Sequence, residues 1–410
     1  MSPVTALLLS VLMTGNGESI RLMLVAGEPS GDAHAAALAR ALGERGAGAS
    51  FEFYGATGRE MRAAGVETIV NADELAIVGL LEIGGALPQF WRAYRDLKRA
   101  ALERRPDAVV LVDWPDFNLP LARALRRRGL KIIYYISPQL WAWRAHRVRQ
   151  IRRDVDLLLA ILPFEPAWYE RHGIRHVEFV GHPLAGEVRA RYDRAEFCRR
   201  HHLDPARPVI ALLPGSRRKE LQRILPPMLD AARIVARSCA DAQFVVALSP
   251  NRLPTEAEAA LAAAGLTSAT GAGAFRIVQH ETRDALAAAD AAAVASGTAT
   301  LEAALIATPL VVVYKESFLN WHILGSLINT EHYGLVNLIA GYRLAPELMQ
   351  NDFTGETLAR EILRLLDPAH NAEARARLRD ATAQLGTGGA SHNAADALLR
   401  AVRRWKNDSR

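Results

Sequence analysis

The chain has 410 residues, 50% of them hydrophobic and 23% charged, with a net charge of +6. That length exceeds what one hydrophobic core usually holds, and the composition excludes a disordered or fibrous chain, so two soluble α/β domains are expected. Two cysteines, Cys198 and Cys239, without metal-ligand spacing, exclude a disulfide scaffold and a zinc site and fit a reducing compartment. The basic excess points to an acidic partner: phosphates, anionic lipid or nucleic acid.

Residues 1–20 read as an extension. Val4 to Met13 is apolar, but it is too short to span a bilayer and no basic residue precedes it, as a signal peptide requires. It is expected to be poorly ordered, or to reflect an upstream start codon with Met13 or Met23 as alternative starts. Residues 21–185 form the first domain. A strand, Arg21 to Ala26, runs into Gly27-Glu28-Pro29-Ser30-Gly31-Asp32 and an Ala/Leu-rich helix, His34 to Leu42. This is a Rossmann-like start, but not GxGxxG, and Glu28 and Asp32 would repel a phosphate. Strands follow at Phe51 to Tyr54, Asp107 to Val112, Lys131 to Ile136, Leu157 to Leu162 and His176 to Val180. A helix is expected over Pro88 to Leu102. Glycine-rich, apolar Leu75 to Trp91 reads as a buried helix or as a wall that accepts acyl chains. The alternation βαβα predicts a mainly parallel sheet with helices on both faces.

Asp113 and Asp116 lie at a strand's carboxyl end. Asp113 is the better general base, because the sheet fixes its position; Asp116 or Asn118 suits a helix cap. Glu28 is the alternative base. Phe117 to Arg153 is rich in Lys and Arg, lacks Asp and Glu, and contains Trp141 and Trp143. Tryptophan among basic residues reads phosphate-bearing headgroups at a membrane surface, or nucleic acid, or is simply a solvated face with packed indoles. Residues Ser137 to Arg144 carry this reading best. His34, His182, His280 and His332 are scattered and read as structural.

Residues 186–365 repeat the pattern, after a polar stretch from Gly186 to Leu203. Strands are expected at Val209 to Leu213, Gln243 to Leu248, Phe275 to Val278, Ala291 to Val294 and Leu310 to Val313. After the first of these comes Gly215-Ser216-Arg217, where Arg217 suits a bidentate clamp on a diphosphate. After the fourth comes Ser296-Gly297-Thr298. Gly297 lets backbone approach, two hydroxyls flank it, and a helix N-terminus supplies unpaired N–H groups. Glu302, one turn further in, suits the two hydroxyls of a ribose. The alternative is an ordinary Ser/Thr cap. No metal cluster has ligand spacing, and no metal or cofactor is expected. Residues 366–410 are closing helices, packing back on the first domain or exchanged between the subunits of a homodimer.

In order along the chain stand Leu24 to Asp32 (LVAGEPSGD), Val112 to Asn118 (VDWPDFN), Ser137 to Arg144 (SPQLWAWR), Phe179 to Leu184 (FVGHPL), Leu212 to Arg217 (LLPGSR), Ala295 to Glu302 (ASGTATLE) and Val336 to Gly341 (VNLIAG). Together they resemble the lipid-A-disaccharide synthases, glycosyltransferases of the GT-B architecture, from about Leu22 to the C-terminal helices. The resemblance implies an α/β fold of two Rossmann-like domains facing across a cleft. It implies transfer from UDP-2,3-diacylglucosamine to 2,3-diacylglucosamine 1-phosphate, with inversion, giving a β(1→6) disaccharide 1-phosphate and UDP. It makes Asp113 the base, with Glu28 orienting the acceptor. Arg217, with Gly215 and Ser216, becomes the diphosphate contact, and Ser296, Gly297, Thr298 and Glu302 the UDP site. Asn337 becomes a polar residue facing the cleft. Trp141, Trp143 and Arg144 become an acceptor and membrane surface on the cytoplasmic leaflet of a Gram-negative-type inner membrane. No nucleic-acid partner is then expected. Another UDP-sugar transferase, a UDP-GlcNAc epimerase or a non-catalytic nucleotide-binding protein are the competing readings.

Overall fold

The computed structural model describes residues 18–46, 48–75, 87–266, 274–316 and 332–408. The extension up to residue 17 and residues 76–86 of the apolar stretch beginning at Leu75 lie outside the described residues. The chain divides into two compact units. The first takes in the chain up to Pro183 and again from Gly389; the second is Leu184–Gly388.

Unit 1 is built from β1 (Ser19–Val25), α1 (Pro29–Arg45), β2 (Ser50–Thr57), α2 (Arg59–Ala63), β3 (Glu67–Asn71), α3 (Leu87–Arg104), β4 (Ala108–Val112), α4 (Pro115–Arg126), β5 (Ile132–Tyr135), α5 (Val148–Asp154), β6 (Leu157–Ala160), α6 (Glu165–Arg171) and β7 (Val177–Phe179). Its sheet has the order β3-β2-β1-β4-β5-β6-β7, with every pairing parallel. The central strand β4 is apolar at every position, and β1 from Leu22 onward, because both faces are covered there. Leu22, Leu24, Val110 and Val112 enter one core, and Met23, Val25, Val109 and Leu111 the other. β3 was not anticipated. Its sequence, Glu-Thr-Ile-Val-Asn, is half polar because it forms the sheet edge and pairs only with β2.

Unit 2 holds α7 (Arg194–Arg200), β8 (Val209–Leu213), α8 (Arg218–Ser238), β9 (Gln243–Leu248), α9 (Pro254–Ala263), β10 (Phe275–Gln279), α10 (Thr282–Ala288), β11 (Ala291–Ala295), α11 (Thr298–Leu305), β12 (Leu310–Tyr314), α12 (Leu335–Ala340), β13 (Glu347–Met349), α13 (Gly355–Leu366) and α14 (Pro368–Ala383). Its parallel sheet has the order β10-β9-β8-β11-β12-β13. Ile210 and Leu212 face one core, and Val209, Ala211 and Leu213 the other. α7 interrupts the polar stretch after Gly186: the Asp193 carboxylate caps it by accepting the Glu196 N–H at 2.8 Å.

The block 366–410 is divided by the fold. α14 stays in unit 2 through buried Leu378. The last helix, α15 (Ala390–Asp408), belongs to unit 1, where Ala395, Leu398, Leu399 and Val402 join the core that holds Leu38 and Leu42 of α1. Asn393 ties it to the end of β7 by donating to the Val180 carbonyl at 3.0 Å.

Candidate functional site

In both sheets the strand order reverses once: between β1 and β4 in unit 1, and between β8 and β11 in unit 2. At such a point the loops leaving two adjacent strands turn to opposite faces and open a crevice beyond the strands' carboxyl ends, where ligands of open α/β sheets bind.

In unit 2 that crevice is a cavity of ≈ 540 Å³. Gly215, Ser216 and Arg217 line it from the end of β8, and Ser296, Gly297, Thr298 and Glu302 from the end of β11. Ser249, Pro250, Thr282 and Tyr314 complete it. The two helix N-termini at its floor differ. The turn into α8 satisfies its own donors: Glu220 Oε2 accepts the N–H groups of Ser216 and Arg217 at 2.9 and 3.0 Å. Gly215, at φ +107°, is needed there, since a Cβ would stand 2.5 Å from that oxygen. What this edge offers a ligand is the Arg217 guanidinium, 84% exposed and only loosely paired with Glu220 at 3.8 Å. α11 has no side-chain cap, and its first two residues, Thr298 and Ala299, line the cavity, so an anion there could take the N–H groups that open the helix. Gly297, at φ +151°, has open space where a side chain would stand. Ser296 lines the cavity, but its hydroxyl donates to the Tyr333 carbonyl at 3.1 Å; the Thr298 hydroxyl has no partner among the described residues. Glu302 is anchored by Arg283, whose Nε and Nη2 both meet Oε1, at 2.9 and 2.8 Å.

Asn337 does not line this cavity. It is fully buried in α12, where Nδ2 donates to the Ala345 carbonyl and to Glu347 Oε1, each at 2.8 Å, and Oδ1 accepts the Ala345 N–H at 2.8 Å. Its hydrogen bonding is spent on the turn into β13. The expectation of a polar residue facing a ligand is therefore corrected for Asn337: a buried carboxylate, Glu347, needs its amide.

In unit 1 the corresponding edge is acidic. Asp113 and Trp114 both have φ +49°, an uncommon backbone for non-glycine residues that surrounding bonds must hold. The Asp113 N–H donates to the Tyr135 carbonyl at 3.0 Å. Its carbonyl accepts from Asn118 Nδ2 at 2.7 Å and from the Tyr134 hydroxyl at 2.6 Å. The Trp114 indole stacks on Phe117 at 4.1 Å and covers Gly27, where a Cβ would be 2.2 Å from the ring. That contact presses the loop after β1, with exposed Glu28, against the loop after β4. Burial and the neighbouring Glu28 charge push the Asp113 carboxyl up to about 6, against the pull of the Trp114 N–H. A carboxylate with that affinity suits proton abstraction near neutral pH. Asp32, by contrast, is structural: its two oxygens accept the N–H groups of Gly58, Glu60 and Met61 and cap α2.

The tryptophan loop splits. Trp141 Nε1 donates at 3.2 Å to Glu165, which is 1% exposed. Burial pushes that carboxyl up to about 7, against the Leu162 N–H and the indole. Trp143 is exposed, with the Arg144 guanidinium 4.4 Å over its ring. Arg144 and Arg147 both bond Asp116, at 2.7 and 2.5 Å, tying this loop to the Asp113 loop. His182 is buried and neutral, its pKa pushed down to about 4 by burial and by His34.

Sequence reasoning missed Arg283, Asn118 as an anchor of the Asp113 backbone, and the Gly27–Trp114 contact. Each depends on a partner in another element or loop. The one local signal was the aromatic pair Trp114 and Phe117, spaced to lie on one side of a helix start.

The family described as lipid-A-disaccharide synthetase matches residues 22–401. A lipid-A-disaccharide synthase from Geobacter sulfurreducens is 41% identical over 388 residues, covering 94% of this chain and 98% of that protein. Among solved structures, the UDP-GlcNAc 2-epimerase from Neisseria meningitidis bound to UDP-GlcNAc is similar with a TM-score of 0.60 and 12% identity, covering 93% of this chain and 100% of the other. A glycosyltransferase from Rickettsia africae gives 0.57 at 10% identity, covering 95% and 99%. These two likenesses show the fold alone.

Proposed function

The chain belongs to the lipid-A-disaccharide synthetase family, a family of GT-B glycosyltransferases of lipid A biosynthesis, and on that premise we propose its substrates and the division of labour among its residues. The donor is UDP-2,3-diacylglucosamine and the acceptor 2,3-diacylglucosamine 1-phosphate. Asp113 takes the proton of the acceptor 6-hydroxyl, the oxygen attacks the donor's anomeric carbon from the face opposite the diphosphate, and the carbon–oxygen bond to UDP breaks with its electron pair leaving on UDP. Configuration inverts, and the products are the β(1→6) disaccharide 1-phosphate and UDP.

The observation that carries this reading is the unit 2 cavity, where an exposed arginine and an uncapped helix N-terminus converge on one space. Arg217 and the α11 N–H groups carry the charge of the departing diphosphate, with no metal needed in this scheme. Glu302 accepts from the ribose hydroxyls. Glu28 orients the acceptor and holds the Asp113 carboxyl ready to take a proton.

Because both proposed substrates carry acyl chains, this reading makes the enzyme a peripheral protein on the cytoplasmic face of the inner membrane. No helix among the described residues is long and apolar enough to cross a membrane. Trp143, Arg144 and exposed Trp91, beside Arg92, Arg95 and Lys98 of α3, form the surface this reading assigns to the bilayer. Trp141, bonded to Glu165, serves it only by holding the loop.

The test is UDP release by the purified protein from the donor, with and without the acceptor, in EDTA. Acceptor-dependent release that survives EDTA is expected. UDP binding without release would move the reading to another sugar or acceptor. For the membrane surface, Trp143→Ala should weaken sedimentation with anionic liposomes; unchanged binding would remove that loop from the account.

A further inference from the structure

We propose that Arg283 is a positioning residue that makes the donor site selective for a nucleoside diphosphate carrying ribose hydroxyls. The inference rests on the reading of Glu302 as the ribose contact.

Both guanidinium bonds from Arg283 land on the same oxygen, Glu302 Oε1. Oε1 is thereby held in place while Oε2 keeps its accepting capacity, with no bond to it among the described residues. A carboxylate that receives a guanidinium on one oxygen can point the other at its ligand, so it accepts from a hydroxyl without first being ordered. Glu302 sits on α11, the short helix whose N-terminus faces the cavity. Arg283 sits on α10, and this second helix is itself braced. Arg283 Nη1 donates to the Glu187 carbonyl at 3.3 Å. The neighbouring Asp284, 2% exposed in its side chain, accepts from Arg191 Nη2 at 2.7 Å and from the Tyr192 N–H at 3.2 Å. Arg283 thus transfers the rigidity of α10 and of the segment 187–192 to a carboxylate that has no other side-chain anchor among the described residues. Side-chain order of this kind is free energy that binding does not have to supply.

A structural role for the pair predicts equal losses for every ligand. The positioning role predicts losses only where ribose hydroxyls are present. The experiment is calorimetric titration of the full chain with UDP and with 2′,3′-dideoxyuridine diphosphate, for wild type, Arg283→Ala, Arg283→Lys and Glu302→Gln. Wild type should favour UDP by about 10-fold or more, the worth of a charge-assisted hydrogen bond. Glu302→Gln should erase most of that preference. Arg283→Ala should erase it too, with affinity for the dideoxy ligand within about twofold of wild type, which also shows the cavity intact. Arg283→Lys, with the charge but not the fork, should recover part of it. Equal weakening of both ligands by Arg283→Ala, or no weakening of UDP, overturns the positioning role while Glu302 keeps its assignment. A full preference remaining in Glu302→Gln overturns the ribose reading and the proposal with it.

Discussion

The two units use one backbone device for opposite chemistry. Each places two loops at the point where a parallel sheet reverses its strand order. In unit 2 those loops carry Gly215, Ser216 and Arg217 against Gly297 and Thr298, small or cationic groups at an uncapped helix end. In unit 1 they carry Glu28 and Asp113, with the Trp114 indole packed over Gly27. The backbone fixes where a ligand can sit; the side chains fix its charge. A dianion is welcome at one edge and repelled at the other, while a proton is welcome where the dianion is not.

The comparison breaks most sharply at Asp113. Asp113→Asn should lower transfer by roughly 10²–10⁴-fold, the usual worth of a general base, while UDP affinity measured by titration stays close to wild type. Arg217→Ala should do the reverse at the other edge, costing UDP about 10- to 100-fold in affinity. Its exposure means the melting temperature should not move. Asn337→Ala separates fold from site within unit 2. It strips three buried hydrogen bonds and should cost about 2–4 kcal/mol in denaturant unfolding, with UDP affinity unchanged by comparison.

The pH profile sharpens the acidic edge further. Asp113 acts ionised, so transfer should rise with pH through about 6 and then level. Glu28→Gln removes a charge that raises that pKa, so the limb should shift to lower pH. A profile that ignores Glu28 would separate the two carboxylates. The smallest effect is expected at Glu165. Its folded-state pKa of about 7 lies above the ordinary 4.5. Its stabilising contribution is therefore complete below about 4.5 and lost as pH rises through about 7. Glu165→Gln should flatten that part of the stability curve without moving the transfer limb.

Much of this was legible in the sequence. The strands that carry the candidate site announce themselves as aliphatic runs ending in glycine, serine or aspartate, because a strand buried on both faces must be apolar throughout. The residues at their ends follow from knowing where such sheets bind ligands. What was not legible depends on partners far along the chain. Asn337 looks like a site residue until buried Glu347 claims its amide. Trp141 looks like a surface anchor until Glu165 does the same. Ser296 and Thr298 look equivalent until Tyr333 takes one hydroxyl. A polar side chain in a motif declares that it will hydrogen-bond, and only the fold says to what.

The return of the chain to unit 1 has a consequence for synthesis. Leu38 and Leu42 of α1 share their core with Leu398, Leu399 and Val402 of α15. A ribosome makes α1 first and α15 last, so the nascent first unit waits, with one apolar flank uncovered, until the whole of Leu184–Gly388 has been made. The later-made unit is complete first. A premature stop codon just after Gly388 would accordingly spare the unit 2 cavity and damage the domain at the other end of the gene.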